Sequence, residues 1–343
     1  MQDLWSYLKT ANKPITLYGT GNGADKVLKR LSQDNVKVSG VFSSAGFKKN
    51  KMYAGHIISD YNSLKQKWGD MIILVCFGSH LPLVMDNVKA LNNENELYIP
   101  DVPVAQNDIF DLEFAKKYKN ELQQTYDILE DKLSKNVFEN IIMFKLTGKL
   151  DYLLKAECDR KEVFDLLQLN KNENFLDLGA FTGDTVLEFI DYLNEYNSIM
   201  AVEPDNRNFK KLSENTKDLK DINCINAAVS DKSGVVLISK NHGRGNSADG
   251  KTVEVRALSL SDICKEFKPT YIKMDIEGNE KRAIKGGRDL LLAQRPKMHI
   301  ACYHTAYDIF EIPLLVKSIS PDYKVYMRHH ACFPAWDINC IFI

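Results

Sequence analysis

The sequence predicts an α/β protein with two Rossmann-like units, each built on a mostly parallel sheet with helices on both faces. Two stretches show a short apolar strand, a glycine turn and a helix in succession, at residues 14–32 and 174–192. Between them, residues 101–170 have helical spacing and no strand signal. At 343 residues the chain is too long for most single cores. We therefore expect a Rossmann-like N-terminal domain at 1–105, a helical connector at 106–170 and a larger Rossmann-like domain at 171–343.

The smaller unit opens with the glycine turn Gly19-x-Gly21-x-Gly23 after its first strand. Later strands are expected at 36–42, 71–77 and 97–99. Taken alone, the turn is a weak signal for a dinucleotide, because Ser43 stands where an acid would bind the ribose after the second strand. We favour a packing or substrate-capture role for this unit and keep nucleotide binding as the alternative.

The larger unit alternates strands with helices. Its strands are expected at 174–178, 199–203, 224–229, 271–274, 298–303, 323–327 and 338–343. The first five have the spacing of parallel crossovers, whereas the last two lack an intervening helix and predict an antiparallel hairpin. A β-ribbon is expected at 234–240 and 252–258, on either side of a glycine-rich loop at 241–247 that a ligand would order.

The glycine turn of the larger unit suits S-adenosylmethionine better than a dinucleotide. Glu203 ends the second strand as an acid that can accept both ribose hydroxyls, as acids do in dinucleotide sites. However, the turn lacks the pattern G-x-G-x-x-G, and Asp177 precedes its first glycine, where it can meet an ammonium group. S-adenosylmethionine carries an ammonium group and no pyrophosphate, so it is the predicted cofactor. A purely structural turn is the alternative.

Three motifs in this order resemble the FkbM-type family of S-adenosylmethionine-dependent methyltransferases. They are Asp-Leu-Gly-Ala-Phe-Thr-Gly-Asp-Thr at 177–185, Ala-Val-Glu-Pro-Asp at 201–205, and Tyr-Ile-Lys-Met-Asp-Ile-Glu-Gly-Asn-Glu at 271–280 with two glycines beyond. The resemblance covers roughly residues 120–343 and implies a class I methyltransferase sheet. It also implies methyl transfer to a hydroxyl of a sugar, a polysaccharide precursor or a natural product. One departure is the strand at 297–303, which lacks a glutamate that many members carry there, so no role of that glutamate is transferred.

Residues at the ends of the parallel strands are the candidates for the site, because ligands of open α/β sheets bind at that edge. The expected cofactor-binding residues are Asp177, Gly179, Ala180, Phe181, Thr182, Gly183, Asp184, Thr185, Glu203, Pro204, Ala227, Ala228 and Asp275. Asp275, Glu277 and His304 are the expected catalytic residues, since a carboxylate or a histidine can take the proton of a hydroxyl acceptor. A divalent metal site at these three residues and purely structural roles are the alternatives, and a metal is not expected. Glu280 is interpreted as a favourable charge in the first turn of a helix.

Composition limits the partners. The formal net charge is −1 and the lysines are scattered, which argues against a nucleic-acid partner, and no Asn/Asp-Pro-Pro-Tyr stretch follows the fourth strand. The longest apolar run, at 71–77, is far too short to span a membrane. Seven cysteines without a C-x-x-C pair, and no secretory leader, predict reduced thiols in a cytoplasmic protein. The expected partner is a small-molecule or saccharide acceptor; the oligomeric state stays open.

Two rival functions remain. An NAD(P)-dependent dehydrogenase or epimerase could act through the N-terminal glycine turn, although Tyr61-x-x-x-Lys65 fits the catalytic spacing of such enzymes only as part of an ordinary surface-helix pattern. A non-catalytic binding protein could keep the cofactor fold without the chemistry. The two strand-end acids, Asp177 and Glu203, argue against that second rival.

Overall fold

The computed structural model describes residues 2–44, 51–239 and 252–343. The N-terminal unit consists of α1 (Leu4–Leu8), β1 (Ile15–Tyr18), α2 (Asn22–Gln33), β2 (Gly40–Phe42), β3 (Met52–Tyr53), β4 (His56–Ser59), α3 (Tyr61–Trp68), β5 (Ile72–Val75), α4 (Pro82–Glu94) and β6 (Glu96–Tyr98). Its sheet has the order β3-β4-β2-β1-β5-β6. The β3–β4 pair is antiparallel, whereas the pairings of β1, β2, β4, β5 and β6 are parallel. The doubly wound unit expected here is therefore present, with one short hairpin at its edge that the sequence did not predict.

The connector is helical, as expected. Its helices are α5 (Leu112–Lys117), α6 (Lys119–Ile128), α7 (Lys132–Thr147), α8 (Leu150–Ala156) and α9 (Lys161–Leu167). The longest, α7, begins at Asp131, whose side chain accepts the amide N–H of Ser134, and ends at Gly148 in the left-handed conformation. The same Asp131 carboxylate pairs with the buried Arg328 at 2.7 Å. The cap of α7 thus also fixes this helix to the larger sheet.

The larger domain begins with β7 (Asn174–Leu178), α10 (Asp184–Leu193), β8 (Ser198–Val202), α11 (Asn206–Thr216), β9 (Ile222–Ile225), β10 (Ala228–Ser230), β11 (Gly234–Ser239), β12 (Thr252–Ser259) and α12 (Leu260–Ile263). It continues with β13 (Tyr271–Met274), α13 (Glu280–Gly286), α14 (Arg288–Gln294), β14 (Lys297–Ala301), α15 (Asp308–Ile319), β15 (Val325–His329) and β16 (Ile338–Phe342). The main sheet has the order β15-β16-β14-β13-β7-β8-β9. Strand β16 is antiparallel to both of its neighbours, β14 and β15, and the other pairings are parallel, which confirms the predicted fold class.

One expected strand divides between two sheets. The residues predicted as a single strand at 224–229 form the end of β9 in the main sheet and the start of β10, which pairs in parallel with β12. The predicted β-ribbon is the antiparallel pair β11–β12. The glycine-rich loop at 241–247 lies outside the described residues.

The two Rossmann-like units face each other at the carboxyl edges of their sheets. The backbones of Ser79, just after β5, and Phe333, in the β15–β16 loop, exchange two hydrogen bonds of 2.8 and 3.0 Å. A Cβ atom on Gly78 would lie 2.1 Å from the ring of Trp336, so only glycine allows this approach. Buried apolar side chains of both units, such as Ile73 and Leu176, belong to one continuous core. In the part of the chain that the structure describes, no helix has the length and apolar character needed to cross a membrane.

Candidate active site

The turn after β7 is held tightly against the two neighbouring strand ends. The amide N–H groups of Gly179 and Ala180 both donate to the carbonyl of Val202, at 2.9 and 3.0 Å. Gly179 has a φ of 83°, and a Cβ atom there would lie 1.9 Å from the carbonyl oxygen of Asp275. Only glycine fits this position, because both the backbone conformation and the close contact exclude a side chain. The turn therefore brings the exits of β7, β8 and β13 together.

Asp177 lies under this turn as an unsatisfied carboxylate. It is completely buried, and neither of its oxygens has a hydrogen-bond partner among the described residues. The ammonium group of Lys273 is 3.7 Å from Oδ1, close enough for attraction but too far for a hydrogen bond. Burial raises the pKa of Asp177 to about 6 in spite of the attraction of Lys273. A buried carboxylate without donors is costly, so this position suits a ligand that brings a cation or N–H groups.

The carboxylate of Glu203, at the end of β8, can accept more hydrogen bonds than the backbone donates to it. Its Oε2 accepts the amide N–H of Phe181 at 3.0 Å, and its Oε1 accepts that of Asp205 at 2.9 Å. Because a carboxylate can accept about four hydrogen bonds, two positions remain for a ligand. Burial raises its pKa to about 7. Phe181 has a φ of 49°, a strained conformation for a bulky residue, and this conformation directs its N–H to Glu203.

The other residues predicted to bind the cofactor lie at the same edge. The Thr182 carbonyl accepts the side-chain amide of Asn215 at 2.8 Å, which ties the turn to α11. Asn226 donates to the carbonyl of Glu203 at 2.9 Å and of Pro204 at 3.3 Å. The remaining members are in the turn, at the start of α10 or next to Asn226, namely Gly183, Asp184, Thr185, Ala227 and Ala228. The structure thus brings all of the predicted cofactor residues to the carboxyl edge of β7, β8, β9 and β13.

His304 lies between two carboxylates. Its exposed fraction is 1%, its Nε2 is 3.2 Å from Oδ1 of Asp275, and its Nδ1 is 3.1 Å from Oε1 of Glu280. The N–H directions are poorly aligned with these oxygens, so among the described residues the contacts are ion pairs and not regular hydrogen bonds. Although burial lowers it, Glu280 and Asp275 raise the pKa of His304 well above its ordinary value. The two carboxylates therefore favour the imidazolium form of His304.

Asp275 is an ionised carboxylate at the carboxyl edge of β7, β8 and β13, the expected ligand-binding region that is called the cleft below. Burial would raise its pKa, but His304 and Lys273 outweigh burial and hold the pKa well below its usual range. The hydroxyl of Tyr303 is 3.3 Å from Oδ1 and donates to it. About a third of the Asp275 side chain is exposed, so the carboxylate is accessible from the cleft. Asp275 thus meets the geometric requirement for a group that contacts an acceptor.

Glu280 is the member of this cluster that the sequence interpretation missed. It is 1% exposed, and its Oε1 accepts the amide N–H of Ile276 at 2.8 Å while facing His304. Its Oε2 has no hydrogen-bond partner within the described residues. Glu277, by contrast, is half exposed, with Oε2 at 3.8 Å from Nε2 of His304 and a φ of 57°. Glu277 therefore forms the rim of the cleft, and Glu280 forms its buried side.

The geometry of this cluster fits both an ion bridge and a metal site. Donor atoms of Asp275, Glu280 and His304 lie within 4.8 Å of one another, which is close enough for a common ion. The predicted metal set contained Glu277 in place of Glu280. A metal would bind one nitrogen of a neutral imidazole. Here both nitrogens face carboxylates that raise the pKa of the ring, so without an ion the cluster is a carboxylate–imidazolium–carboxylate bridge.

The part of the chain that forms this edge matches a known protein family. Residues 177–328 match the family model described as the methyltransferase FkbM domain, which contains Asp177, Glu203, Asp275 and His304. The chain carries an FkbM methyltransferase domain. The family recognised from the three motifs is therefore confirmed, over a shorter span than the expected residues 120–343.

A solved structure shares the fold of most of this chain. An FkbM methyltransferase from Methylobacillus flagellatus KT superposes with a TM-score of 0.72 at 19% identity, covering 96% of this chain and 90% of that one. The shared fold thus includes the N-terminal unit. A precorrin-6y C5,15-methyltransferase from Geobacter metallireducens GS-15 matches at 12% identity and a TM-score of 0.34, over 53% and 85% of the two chains. Aeropyrum pernix fibrillarin in complex with natively bound S-adenosyl-L-methionine matches at 12% and 0.37, over 54% and 74%. No curated protein matches the chain.

Proposed function

We propose that this methyltransferase transfers a methyl group from S-adenosylmethionine to a hydroxyl group of a small-molecule or saccharide acceptor. The observation that carries the cofactor assignment is Asp177, a fully buried carboxylate without hydrogen-bond donors under a glycine turn. An ammonium group of the cofactor would supply the missing partner. Glu203 offers its free acceptor positions one strand away, where ribose hydroxyls would donate. These residues therefore fit the cofactor that the family implies.

Some residues of the site bind the cofactor, and others orient the acceptor. When bound, S-adenosylmethionine supplies an electrophilic methyl group on a sulfonium centre. Asp177 and Glu203 fix the two polar ends of the cofactor, while Asp275 presents an accessible carboxylate at the next strand end. Orientation of a nucleophile in line with the leaving group contributes up to about 7–11 kcal/mol to such a reaction. In this proposal, alignment of the acceptor is the main contribution of the site.

The ionised carboxylates of the cleft favour a hydroxyl over an amine as the acceptor. A hydroxyl donates its proton to a carboxylate and keeps a lone pair for the methyl group. Asp275 and Glu277 would instead bind an amine as an ammonium ion, whose nitrogen has no lone pair. Asp275 is the accessible carboxylate that accepts a hydrogen bond from the hydroxyl and orients it, and because its pKa is held low, the proton released on methyl transfer passes to water. His304 and Glu280 then act by holding Asp275 in place.

Calorimetry with S-adenosylhomocysteine tests this function. The native protein should bind it, and Glu203→Ala should weaken binding by about 2–4 kcal/mol, because charge-assisted hydrogen bonds to the ribose are lost. Glu195→Ala, at an exposed position beyond α10, is the matched control and should leave affinity unchanged. Equal affinity in the Glu203 variant would refute the cofactor assignment.

The dehydrogenase or epimerase alternative predicts a different ligand. Tight binding of NADH by the native protein would support it. The N-terminal turn does not require a nucleotide: a Cβ atom on Gly23 would lie 2.4 Å from the carbonyl oxygen of Cys76, so close packing of α2 against the residue after β5 accounts for this glycine. A protein that binds S-adenosylhomocysteine yet transfers no methyl group to any acceptor would fit the non-catalytic alternative.

A further inference from the structure

We propose that the N-terminal unit builds one wall of the methyl-transfer cleft, and that Lys26 is the positioning residue that holds this wall. The wall is the segment at 103–106, which lies between the N-terminal sheet and the connector. The inference rests on the proposed function, since it assigns the acceptor side of the same cleft to two domains. It gives the N-terminal unit a role in the reaction that needs no nucleotide.

The wall directly contacts the turn at 275–280, which carries Asp275 and Glu277. The amide N–H of Ala105 donates to the carbonyl of His304 at 2.8 Å. A Cβ atom on Gly278 would lie 3.0 Å from Cβ of Ala105, so the segment packs against the turn that carries Asp275 and Glu277. Gln106 follows with a φ of 63° and an exposed side chain. A displacement of this segment would therefore move the backbone of His304 and the floor of the cleft.

Lys26 attaches the wall to α2 of the N-terminal unit. Its ammonium group donates to the carbonyl of Pro103 at 2.5 Å and to that of Val104 at 3.0 Å. These carbonyls are two and one residues before Ala105, and burial lowers the pKa of Lys26. A charged donor shared by two carbonyls in a partly buried place forms stronger hydrogen bonds than a neutral donor would. Lys26 thus fixes the backbone that presents Ala105 to His304.

A second anchor, the ion pair of Asp101 and Lys145, lies just before the wall, and Lys26 links the wall to α2. Asp101 pairs with Lys145 of α7 at 2.9 Å, and both side chains are almost fully buried. The start of the segment is therefore fixed to the connector, and its middle is fixed to the N-terminal unit. Because Lys26 lies in the second turn of α2, the helix that follows the glycine turn is linked to the turn at 275–280 through this side chain and one short backbone segment.

The test compares three variants of the full-length protein. Lys26→Met keeps an unbranched chain and removes the donor, Lys26→Arg restores a charged donor, and Lys29→Met is the control at an exposed position of the same helix. Hydrogen exchange followed by mass spectrometry measures how fast the backbone amides of the wall exchange. In Lys26→Met the peptides covering 103–107 and 275–280 should exchange at least about 10-fold faster, whereas Lys29→Met should behave like the native protein.

Measurements of turnover and of cofactor affinity distinguish a displaced wall from a general loss of structure in the variants. With radiolabelled S-adenosylmethionine and an acceptor-containing cell extract, Lys26→Met should lower the initial rate by about 10-fold to 100-fold, the cost of a misplacement of about 1 Å. Affinity for S-adenosylhomocysteine should change less than about 2-fold, and Lys26→Arg should recover most of the rate. Unchanged exchange at 103–107, or a rate that falls only in proportion to cofactor affinity, would overturn the inference. Failure of the native protein to bind S-adenosylhomocysteine would instead refute the proposed function and leave the exchange result to decide the wall.

Discussion

Replacement of Asp177 by asparagine should stabilise the free protein while it weakens cofactor binding. Asp177 is fully buried, and its pKa of about 6 lies roughly 2 units above the ordinary value of 3.8. At about 1.36 kcal/mol per unit, keeping this carboxylate ionised costs the folded state about 3 kcal/mol. The attraction of Lys273 is already contained in that pKa. Asp177→Asn removes the charge at similar volume and should recover up to about this amount.

The sign of the pH dependence follows from the raised pKa. Above pH 6 the folded state holds an ionised Asp177 at full cost, so the variant has its full advantage there. As the pH falls from about 6 to about 4, Asp177 of the native protein takes up a proton in the folded state and the cost disappears. The stability difference between the variant and the native protein should therefore vanish near pH 4.

Thermal unfolding followed by circular dichroism measures both effects. The relevant unfolding transition is the one whose midpoint rises when S-adenosylhomocysteine is added. At pH 8 the midpoint of this transition should be about 6–12 °C higher in Asp177→Asn than in the native protein, because 1 kcal/mol of stability is worth about 2–4 °C in a domain of this size. The same variant should lose affinity for the cofactor, whose ammonium group no longer meets a carboxylate. Asp191→Asn, on the exposed side of α10, should change stability by less than about 0.5 kcal/mol. A lower midpoint in Asp177→Asn at pH 8, or a gain that persists unchanged at pH 4, would show that the carboxylate is satisfied in the folded protein.

Two further substitutions address the N-terminal turn and the chemical step. Gly21→Ala should lower stability by about 1–3 kcal/mol without changing cofactor affinity, because φ is 116° and ψ is −161° at Gly21; a nucleotide that protects the native protein from unfolding, but not this variant, would contradict a packing role. Asp275→Asn should reduce turnover by about 10²–10⁴-fold with cofactor affinity nearly intact, and His304→Gln should do so through the loss of the ion bridge. Activity that vanishes with a chelator and returns with Mg²⁺ would instead favour a metal at this cluster.

The parts of the fold that local patterns encode were predictable from the sequence. The turn at Asp177, the acid at Glu203 and the terminal hairpin of β15 and β16 all follow from short-range spacing of apolar residues, glycines and acids. Such patterns report periodicity and turn chemistry within one element and its flanks. The hairpin of β3 and β4 escaped prediction because its two strands are only two and four residues long. Its apolar pattern is too short to distinguish from a loop.

The parts of the site that depend on strand pairing were not predictable. Lys273 looks like an ordinary strand residue, and only the pairing of β13 with β7 brings it opposite Asp177. Glu280 looks like a favourable acid in a helix first turn, and only the position of His304 at the end of β14 makes it a buried partner. The division of residues 224–229 between β9 and β10 likewise depends on β12, which lies beyond a long insertion. Contacts between distant segments carry this information, and no local pattern contains it.

The carboxyl edge of the N-terminal sheet takes part in the contact between the two domains. In open α/β sheets the carboxyl edge is where ligands bind, and here two such edges meet. A Cβ atom on Gly19 would lie 2.6 Å from the ring of Phe77, so contact with this aromatic side chain is enough to require glycine here. Phe77 in turn contacts Phe333 of the larger domain, with ring centroids 5.8 Å apart. The carboxyl edge of the N-terminal sheet therefore lies in part in the contact between domains, and in the proposal above that contact, with Lys26 and the wall at 103–106, gives the unit its role beside the methyl-transfer site.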